Sequence, residues 1–453
     1  MLTYELKKAA GVPLYEALYR CIRLDILSGR LTPGEKLPSK RALAENLEVS
    51  KITVEAAYNQ LLAEGFIRSR EKVGYFVEGM ERLPQPVTPP IPAQPPRTQP
   101  VLELNGNGAP HFPFSVWMKL QREVMLDYGE KLLEPLPNRG IPELRQAIAS
   151  HLTAFRGMHV DPENILIGAG TDFLYNLLIQ LLGRDKTYAV EEPGYGKIRK
   201  VYAAGGVRCV SAPMDAKGVR PDALAEADVL HCSPSHHFPT GLVTPVSRRM
   251  ELLNWAKEGK WIIEDDYDSE FRFDAHPKPA MQSLDFEGRV IYKNTFSKSL
   301  APSIRISYMI LPKGLMQQFQ ASLGFYSCTV PSFEQYTLAR FLSRGHFEKH
   351  INRMRKFYKN RRNVLVSLLQ NCSFSDKLTI LEQDAGLHFL LKVDTALSDR
   401  ELTQQLDQVG IRVRALSDYY HEGQKNTGCL VVNYSGLKED RLEKAIRELE
   451  NVM

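Results

Sequence analysis

Apolar residues recur at helical spacing from Leu14 to Ser28, with Leu14, Leu18, Ile22 and Ile26 on one face. Gly29 ends this helix and Thr32-Pro33-Gly34 turns the chain. The next stretch, LPSKRALAENLEVSKITVEAAYNQLLAEGFI, predicts two helices. Ser39 caps the first, whose core face carries Leu43 and Leu47. Ser50 caps the second, with Val54, Tyr58, Leu61 and Leu62 pointing inward. The tight link Leu47-Glu48-Val49-Ser50 gives the pair the form of a helix-turn-helix. From Phe66 to Val77 the pattern changes to alternation, as in a two-stranded wing.

Residues 82 to 100 carry eight prolines and no apolar period. Such a stretch predicts an extended, semi-rigid linker reaching on the order of 3 Å per residue. From Val101 onward, helical patterns alternate with short apolar strands. Strand candidates are Ile165-Leu166-Ile167, Thr187 to Val190, Val229-Leu230-His231, Trp261-Ile262-Ile263 and Val290-Ile291-Tyr292. That alternation predicts an α/β unit with a mostly parallel sheet and a ligand at the strands' C-terminal ends. A long basic helical run begins near Phe333, and a smaller α/β unit closes the chain. The expected domains are residues 1–80, a linker over 81–100, and 101–453 with a small subdomain from about 335.

Composition narrows the function classes. The net charge of +5 over 453 residues permits a nucleic-acid surface without demanding one. The six cysteines are scattered, with no CxxC pair, which argues against a zinc site or a disulfide framework and fits a reducing cytoplasm. No signal core opens the sequence and no run is long and apolar enough to span a membrane, so neither export nor insertion is expected.

Two sets of residues carry chemistry. At the start of the second helix of the pair, Lys51-Ile52-Thr53 suits a segment that meets base edges in the major groove. Ser39, Lys40, Arg41 and Ser50 join it, and Arg68, Arg70 and Lys72 of the wing suit phosphates. The nine candidate DNA contacts are Ser39, Lys40, Arg41, Ser50, Lys51, Thr53, Arg68, Arg70 and Lys72. Charge alone supports an ordinary solvated helical domain: residues 1–78 hold 12 Lys plus Arg against 10 Asp plus Glu. The pattern supports DNA. The stretch resembles the winged helix-turn-helix of the GntR-type regulators through Gly34-Glu35-Lys36-Leu37-Pro38-Ser39, Leu43-Ala44, Val49-Ser50, Thr53-Val54, Leu61 and Glu64-Gly65. Lys40 departs from the acidic residue common there, and Lys51 from a common arginine.

The second set centres on Lys298 in IYKNTFSKSLAPSIRISYMILP. A lysine that forms a Schiff base needs a neutral amine, which apolar flanks favour by desolvation. Arg305, seven residues on, suits a phosphate, and Thr295 and Ser297 add hydroxyls. Gly168-Ala169-Gly170-Thr171-Asp172 precedes a helix expected from about Phe173, as in phosphate-binding loops. Tyr195 follows a Pro-Gly turn as a flat lid or, equally, a buried structural tyrosine. Glu264-Asp265-Asp266-Tyr267-Asp268 ends a strand and can hold a pyridine nitrogen protonated, with Tyr267 on the ring oxygen. A metal site is the rival reading of those acids.

With these residues in view, the second part resembles the fold-type I aminotransferases. The whole chain resembles the MocR/GabR-type regulators, which join a GntR-type domain to such a unit. Pro137-Asn138-Arg139-Gly140, Leu144-Arg145, Arg156-Gly157, Pro193-Gly194-Tyr195, Phe238-Pro239-Thr240-Gly241, Phe296-Ser297-Lys298 and Gly345-His346-Phe347 through Arg353-Met354-Arg355 carry the match nearly end to end. The resemblance implies pyridoxal phosphate as cofactor, with Lys298 as its Schiff-base lysine. It implies Asp265 at the pyridine nitrogen, Tyr267 near the ring oxygen and Tyr195 stacked on the ring. It places Gly170, Thr171, Asp172, Thr295, Ser297 and Arg305 around the phosphate. It also implies a domain-swapped, head-to-tail homodimer.

Two departures separate the chain from working aminotransferases. Phe238 stands where an asparagine usually bonds the ring oxygen, so His236, His237 or Tyr267 has to substitute. Val431 stands where the arginine for the substrate carboxylate is expected, with Arg412 and Arg414 nearby in sequence. The expectation is therefore a transcription regulator that binds an operator, senses pyridoxal phosphate or an amine, and is not primarily an enzyme. The alternative is an active aminotransferase carrying a DNA-binding domain.

Overall fold

The computed structural model describes residues 2–4, 13–79, 102–104, 111–257, 259–273, 278–382, 386–421, 426–437, 441–450 and 452. The proline-rich linker, residues 82–100, lies outside them. The chain divides into two compact units, Met1–Arg97 and Thr98–Met453.

In the first unit, α1 (Leu14–Ser28), α2 (Lys40–Asn46) and α3 (Lys51–Ala63) precede an antiparallel hairpin of β1 (Ile67–Arg70) and β2 (Gly74–Val77). Each helix starts or stops where local chemistry dictates. Gly29 closes α1 in the left-handed region at φ 79°, which a Cβ would resist. The Ser39 hydroxyl accepts from the Ala42 amide and the Ser50 hydroxyl from the Thr53 amide, so both expected caps form. Leu18, Ile22, Leu43, Val54, Tyr58 and Leu61 meet in the core, and Ile67 and Val77 of the wing close it. Leu14, Leu47 and Leu62 are only half-buried, at the rim.

The second unit opens with β3 (Leu102–Glu103), α4 (Phe114–Tyr128) and α5 (Pro142–Arg156). Then β4 (Ile165–Gly168), α6 (Thr171–Leu182), β5 (Thr187–Glu192), α7 (Gly196–Ala204), β6 (Arg208–Asp215), β7 (Gly218–Val219) and β8 (Val229–Cys232) follow. Next come α8 (Val246–Ala256), β9 (Trp261–Asp265), α9 (Met281–Leu284), β10 (Val290–Thr295), α10 (Phe296–Ser299), β11 (Ser307–Ile310) and α11 (Lys313–Leu323). The long basic run forms two helices, α12 (Ser332–Ser343) and α13 (His346–Gln370), because Gly345 breaks it at φ 69°. The closing elements are β12 (Leu378–Leu381), β13 (His388–Val393), α14 (Asp399–Gln408), β14 (Ile411–Arg412), β15 (Arg414–Ala415), β16 (Cys429–Asn433) and α15 (Leu442–Glu450).

Eight strands form the main sheet in the order β4-β11-β10-β9-β8-β5-β6-β7. The five from β10 to β6 are parallel; β11 runs antiparallel between β10 and β4. Both faces are covered, which is why the strands read as apolar runs. Along β10, Ile291 packs with α6 and α11 while its neighbour Tyr292 packs with α5, α12 and α13. An antiparallel sheet, β12-β13-β16-β15, forms the core of the C-terminal part. Among the described residues no helix is long and apolar enough to cross a membrane.

Candidate functional site

The C-terminal ends of β5, β8, β9 and β10, the start of α6, and β13, β15 and β16 surround one cavity of about 410 Å³. Among the residues expected at a cofactor, Lys298, Asp265, Tyr267, Tyr195, Thr171, Asp172, Thr295, Ser297 and Arg305 all line it. Gly170 stands just behind: a Cβ there would lie 2.1 Å from the Arg305 guanidinium. The glycine, at φ 91°, thus lets Arg305 lie against the N-terminus of α6. Helix α6 begins at Thr171, two residues earlier than expected, so its first amides open toward the cavity end lined by Thr171 and Asp172. Asp172 pairs with Lys197 at 2.7 Å and lies 3.7 Å from Arg305.

Lys298 lies in α10, one turn long, which starts where Thr295 accepts a bond from the Ser297 amide. Burial depresses the Lys298 ammonium below its ordinary value, with the Asp268 charge working against the shift. The neutral amine is thereby more accessible than on an exposed lysine. The Ser297 hydroxyl is buried with no partner among the described residues.

Glu264, Asp265 and Asp266, at the end of β9, separate by the strand's alternation. Glu264 accepts from the amides of Met281 and Gln282, at 2.9 Å each. Asp266 accepts from the Tyr292 hydroxyl at 2.6 Å and pairs with Arg156 at 3.0 Å. Of these three adjacent acids Asp265, between the other two, lines the cavity, as does Asp268 further on. Among the described residues no three His, Cys, Asp or Glu side chains converge as for a metal. Oδ2 of Asp265 accepts from the Tyr175 hydroxyl at 2.7 Å and from Lys293 Nζ at 2.8 Å, with His231 Nε2 at 3.4 Å. Oδ1 is buried and has no partner among the described residues. Burial alone would raise this carboxyl, but the Lys293 charge and the His231 bond outweigh it and hold it below the carboxylate range.

Sequence reasoning missed four of these residues: Tyr175, His231, Lys293 and His388. One signal was available, a lysine inside the apolar strand segment VIYKNT. His388 lines the cavity with a buried Nε2 that has no partner among the described residues. Phe238 packs edge-on against Tyr195, Tyr419 and His388 and lines the same wall. Of the three candidates to replace the ring-oxygen asparagine, Tyr267 lines the cavity. The His236 ring bonds Asp268 at 2.9 Å and the His237 ring bonds Thr240 at 2.7 Å. Val431 and Arg414 are direct cross-strand partners, and both line the cavity. Arg412 lies instead near Glu103 and Asp407.

The DNA candidates of the first unit are exposed or half-buried. Lys51 is open to solvent beside Ile52, which is 77% exposed. Lys40 pairs with Glu55 at 2.6 Å, Arg41 with Glu45 at 3.0 Å and Arg68 with Glu78 at 3.4 Å. Arg70 covers the Phe76 ring and Lys72 turns the wing at φ 58°. Ser39 and Ser50 are occupied as caps, and Thr53 Oγ1 lies 2.8 Å from Ser50 Oγ.

Residues 14–77 match the family described as bacterial regulatory proteins, gntR family, and residues 99–449 match aminotransferase class I and II. The chain is similar to the HTH-type transcriptional regulator YdeL of Bacillus subtilis, at 37% identity over 99% of this chain and 98% of that one. It is similar to the probable rhizopine catabolism regulatory protein MocR of Rhizobium meliloti, at 32% identity over 98% and 95%. The second unit shares its fold with the crystal structure of Pyrococcus horikoshii kynurenine aminotransferase. The TM-score is 0.69 and the identity 25%, covering 79% of this chain and 91% of that one.

Proposed function

Since this chain belongs to the GntR-type transcriptional regulators of the MocR kind, with a fused fold-type I aminotransferase-like unit, we propose that Lys298 binds pyridoxal phosphate and that operator binding responds to the coenzyme or to an amine that reacts with it. The observation that carries the reading is the convergence of Lys298, Arg305 and Asp265 on one cavity, where Asp265 keeps an unpartnered, buried oxygen. Bound there, the coenzyme supplies an aldehyde that condenses with amines and a ring that withdraws electrons.

The residues fit the group. Arg305, the α6 amides at Thr171 and Asp172, and the hydroxyls of Thr295 and Ser297 would hold its phosphate, with Gly170 leaving the room. Asp265 Oδ1 would accept from the ring nitrogen, the Tyr267 hydroxyl would face the ring oxygen, and Tyr195 would lie over the ring. Arg414, opposite Val431 on the adjoining strand, is the cation placed to meet an anionic group on the amine. The first unit, residues 1–80, would bind a double-stranded operator through the helix-turn-helix and wing. The linker over 81–100 would join it to the sensing unit, 101–453. A domain-swapped, head-to-tail homodimer would engage paired half-sites in the cytoplasm. A ligand shifts such a system only by its differential affinity for the two states.

The Lys-Asp-Tyr set also suits an active aminotransferase, and one experiment separates the readings. The visible spectrum of the full-length protein is recorded with added pyridoxal phosphate, then with a panel of amines and amino acids. A band that forms in the wild type and is lost in Lys298→Ala supports the assignment; its persistence in the variant refutes it. A spectrum that stops at one altered band marks a sensor. Conversion to the pyridoxamine form, reversed by a keto acid, marks an enzyme. Lys298→Ala is expected to keep bare operator affinity and lose the ligand response.

A further inference from the structure

Lys293 and Asp265 are register partners on the adjacent parallel strands β10 and β9. The lysine is 1% exposed, and its Nζ contacts Asp265 Oδ2 and the Tyr175 hydroxyl, each at 2.8 Å. It also lies 4.7 Å from the centre of the Tyr175 ring. This is a second buried lysine at the wall of the same cavity, on the carboxylate that the proposed function assigns to the ring nitrogen. A lone carboxylate there would lock a proton onto that nitrogen and make the ring a strong electron sink. A carboxylate already neutralised by an ammonium at 2.8 Å cannot do so to the same degree.

We propose that Lys293 is a positioning residue that shares Asp265 with the coenzyme's ring nitrogen and weakens the hold on its proton. The two oxygens divide the work: Oδ2 is held by Lys293, Tyr175 and His231, and Oδ1 is left for the nitrogen. The other charged group acting on Lys293 is Asp172, and His231 is in turn bonded to the Tyr202 hydroxyl at 2.7 Å. The consequence is a site that keeps the coenzyme and admits an amine, yet withdraws electrons poorly. Proton loss at the amine's carbon is slow, and the bound state persists long enough to be read out. This inference rests on the proposed coenzyme site and adds to it the reason for sensing without turnover.

The test is nitrogen-15 NMR of full-length protein loaded with pyridoxal phosphate labelled at the ring nitrogen, titrated with pH. In the wild type the ring nitrogen is expected to lose its proton within the pH range where the fold is stable. In Lys293→Met the same titration shifts upward by at least tenfold in proton affinity. Lys293→Gln, which keeps a donor for Oδ2 but no charge, shifts with it. Should Lys293→Met fail to fold, Lys293→Gln and the wild-type titration still decide. A wild-type nitrogen protonated across the whole range, or identical titrations in all three proteins, overturns the proposal. A shift in the Met variant alone overturns it too, since the hydrogen bond and not the charge would then be responsible. If no coenzyme binds, the site assignment fails first, and the missing visible band reports that failure separately.

Discussion

Arg41 and Arg68 of the first unit pair with Glu45 and Glu78 in the open, and Lys40 with Glu55 at a partly covered edge, whereas Arg156 and Lys293 of the second meet Asp266 and Asp265 where almost no solvent reaches. The residue types are the same and their physics is not. An exposed pair contributes little, is screened by salt, and exchanges its carboxylate for a phosphate at small cost. A buried pair is bound by the penalty of leaving either charge alone. The first arrangement suits reversible contact with a polyanion. The second suits a fixed field around a bound group.

The largest effect should come from breaking a buried pair that faces away from the cavity. Arg156→Met leaves Asp266 buried with the Tyr292 hydroxyl at 2.6 Å as the remaining donor to its side chain among the described residues. A loss of about 3–5 kcal/mol is expected in denaturant unfolding of the second unit. A loss under about 1 kcal/mol would show that the interior relaxes around the charge, and the contrast between the units would weaken.

Gly170→Ala should follow in size, and its effect is on binding. The added Cβ meets the Arg305 guanidinium at 2.1 Å on a backbone already at φ 91°. Retention of pyridoxal phosphate is expected to fall at least tenfold, measured by dialysis and the remaining visible band. An unchanged affinity would mean that Arg305 does not hold the phosphate.

The buried acids also predict a pH dependence. Burial, reinforced by Asp266, lifts Glu270 from the ordinary 4.5 to about 8; burial lifts Glu191 to about 8 as well, against the Ser233 amide. A carboxyl raised in this way binds its proton more tightly when folded. Its contribution to stability is full below 4.5 and is lost as pH rises through about 8. Buried histidines such as His237 and His388, held low by burial, act in the opposite sense below 6.5, so the acids are read out as a difference: the melting temperature of Glu270→Gln should gain on the wild type by a few degrees as pH rises through the window. A difference that stays constant with pH would contradict the assignment.

The two units also differ in how far the sequence discloses them. In the first, the signals are local: the helix face of Leu18, Ile22 and Ile26, and the serines that cap α2 and α3, act within a few residues of where they stand. In the second, the five apolar strands were legible because both their faces are covered. Strand β6 was not, since its residues Arg208–Asp215 are mostly half-buried and include a proline. Strand β11 was read as part of one buried segment; that it turns back between β10 and β4 depends on the whole sheet. Lys298 announced itself through its neighbours in sequence. Lys293 did not, because what makes it matter is Asp265, 28 residues away and one strand over.

Arg41→Ala should give the smallest effect on the fold and the sharpest test of the exposed class. Its pair with Glu45 is a single-turn contact, with the arginine side chain 86% exposed. No measurable change in melting temperature is expected. If Arg41 instead trades Glu45 for a DNA phosphate, operator affinity should drop, and the slope of log affinity against log salt should shrink by about 1. The loss should be uniform across operator sequences, because a phosphate contact positions the domain without reading bases. Lys51→Ala, at the start of α3, should behave differently, weakening the best operator more than random DNA. Were both variants to lose affinity uniformly, α3 would be gripping the backbone, and base recognition would have to come from elsewhere in the first unit.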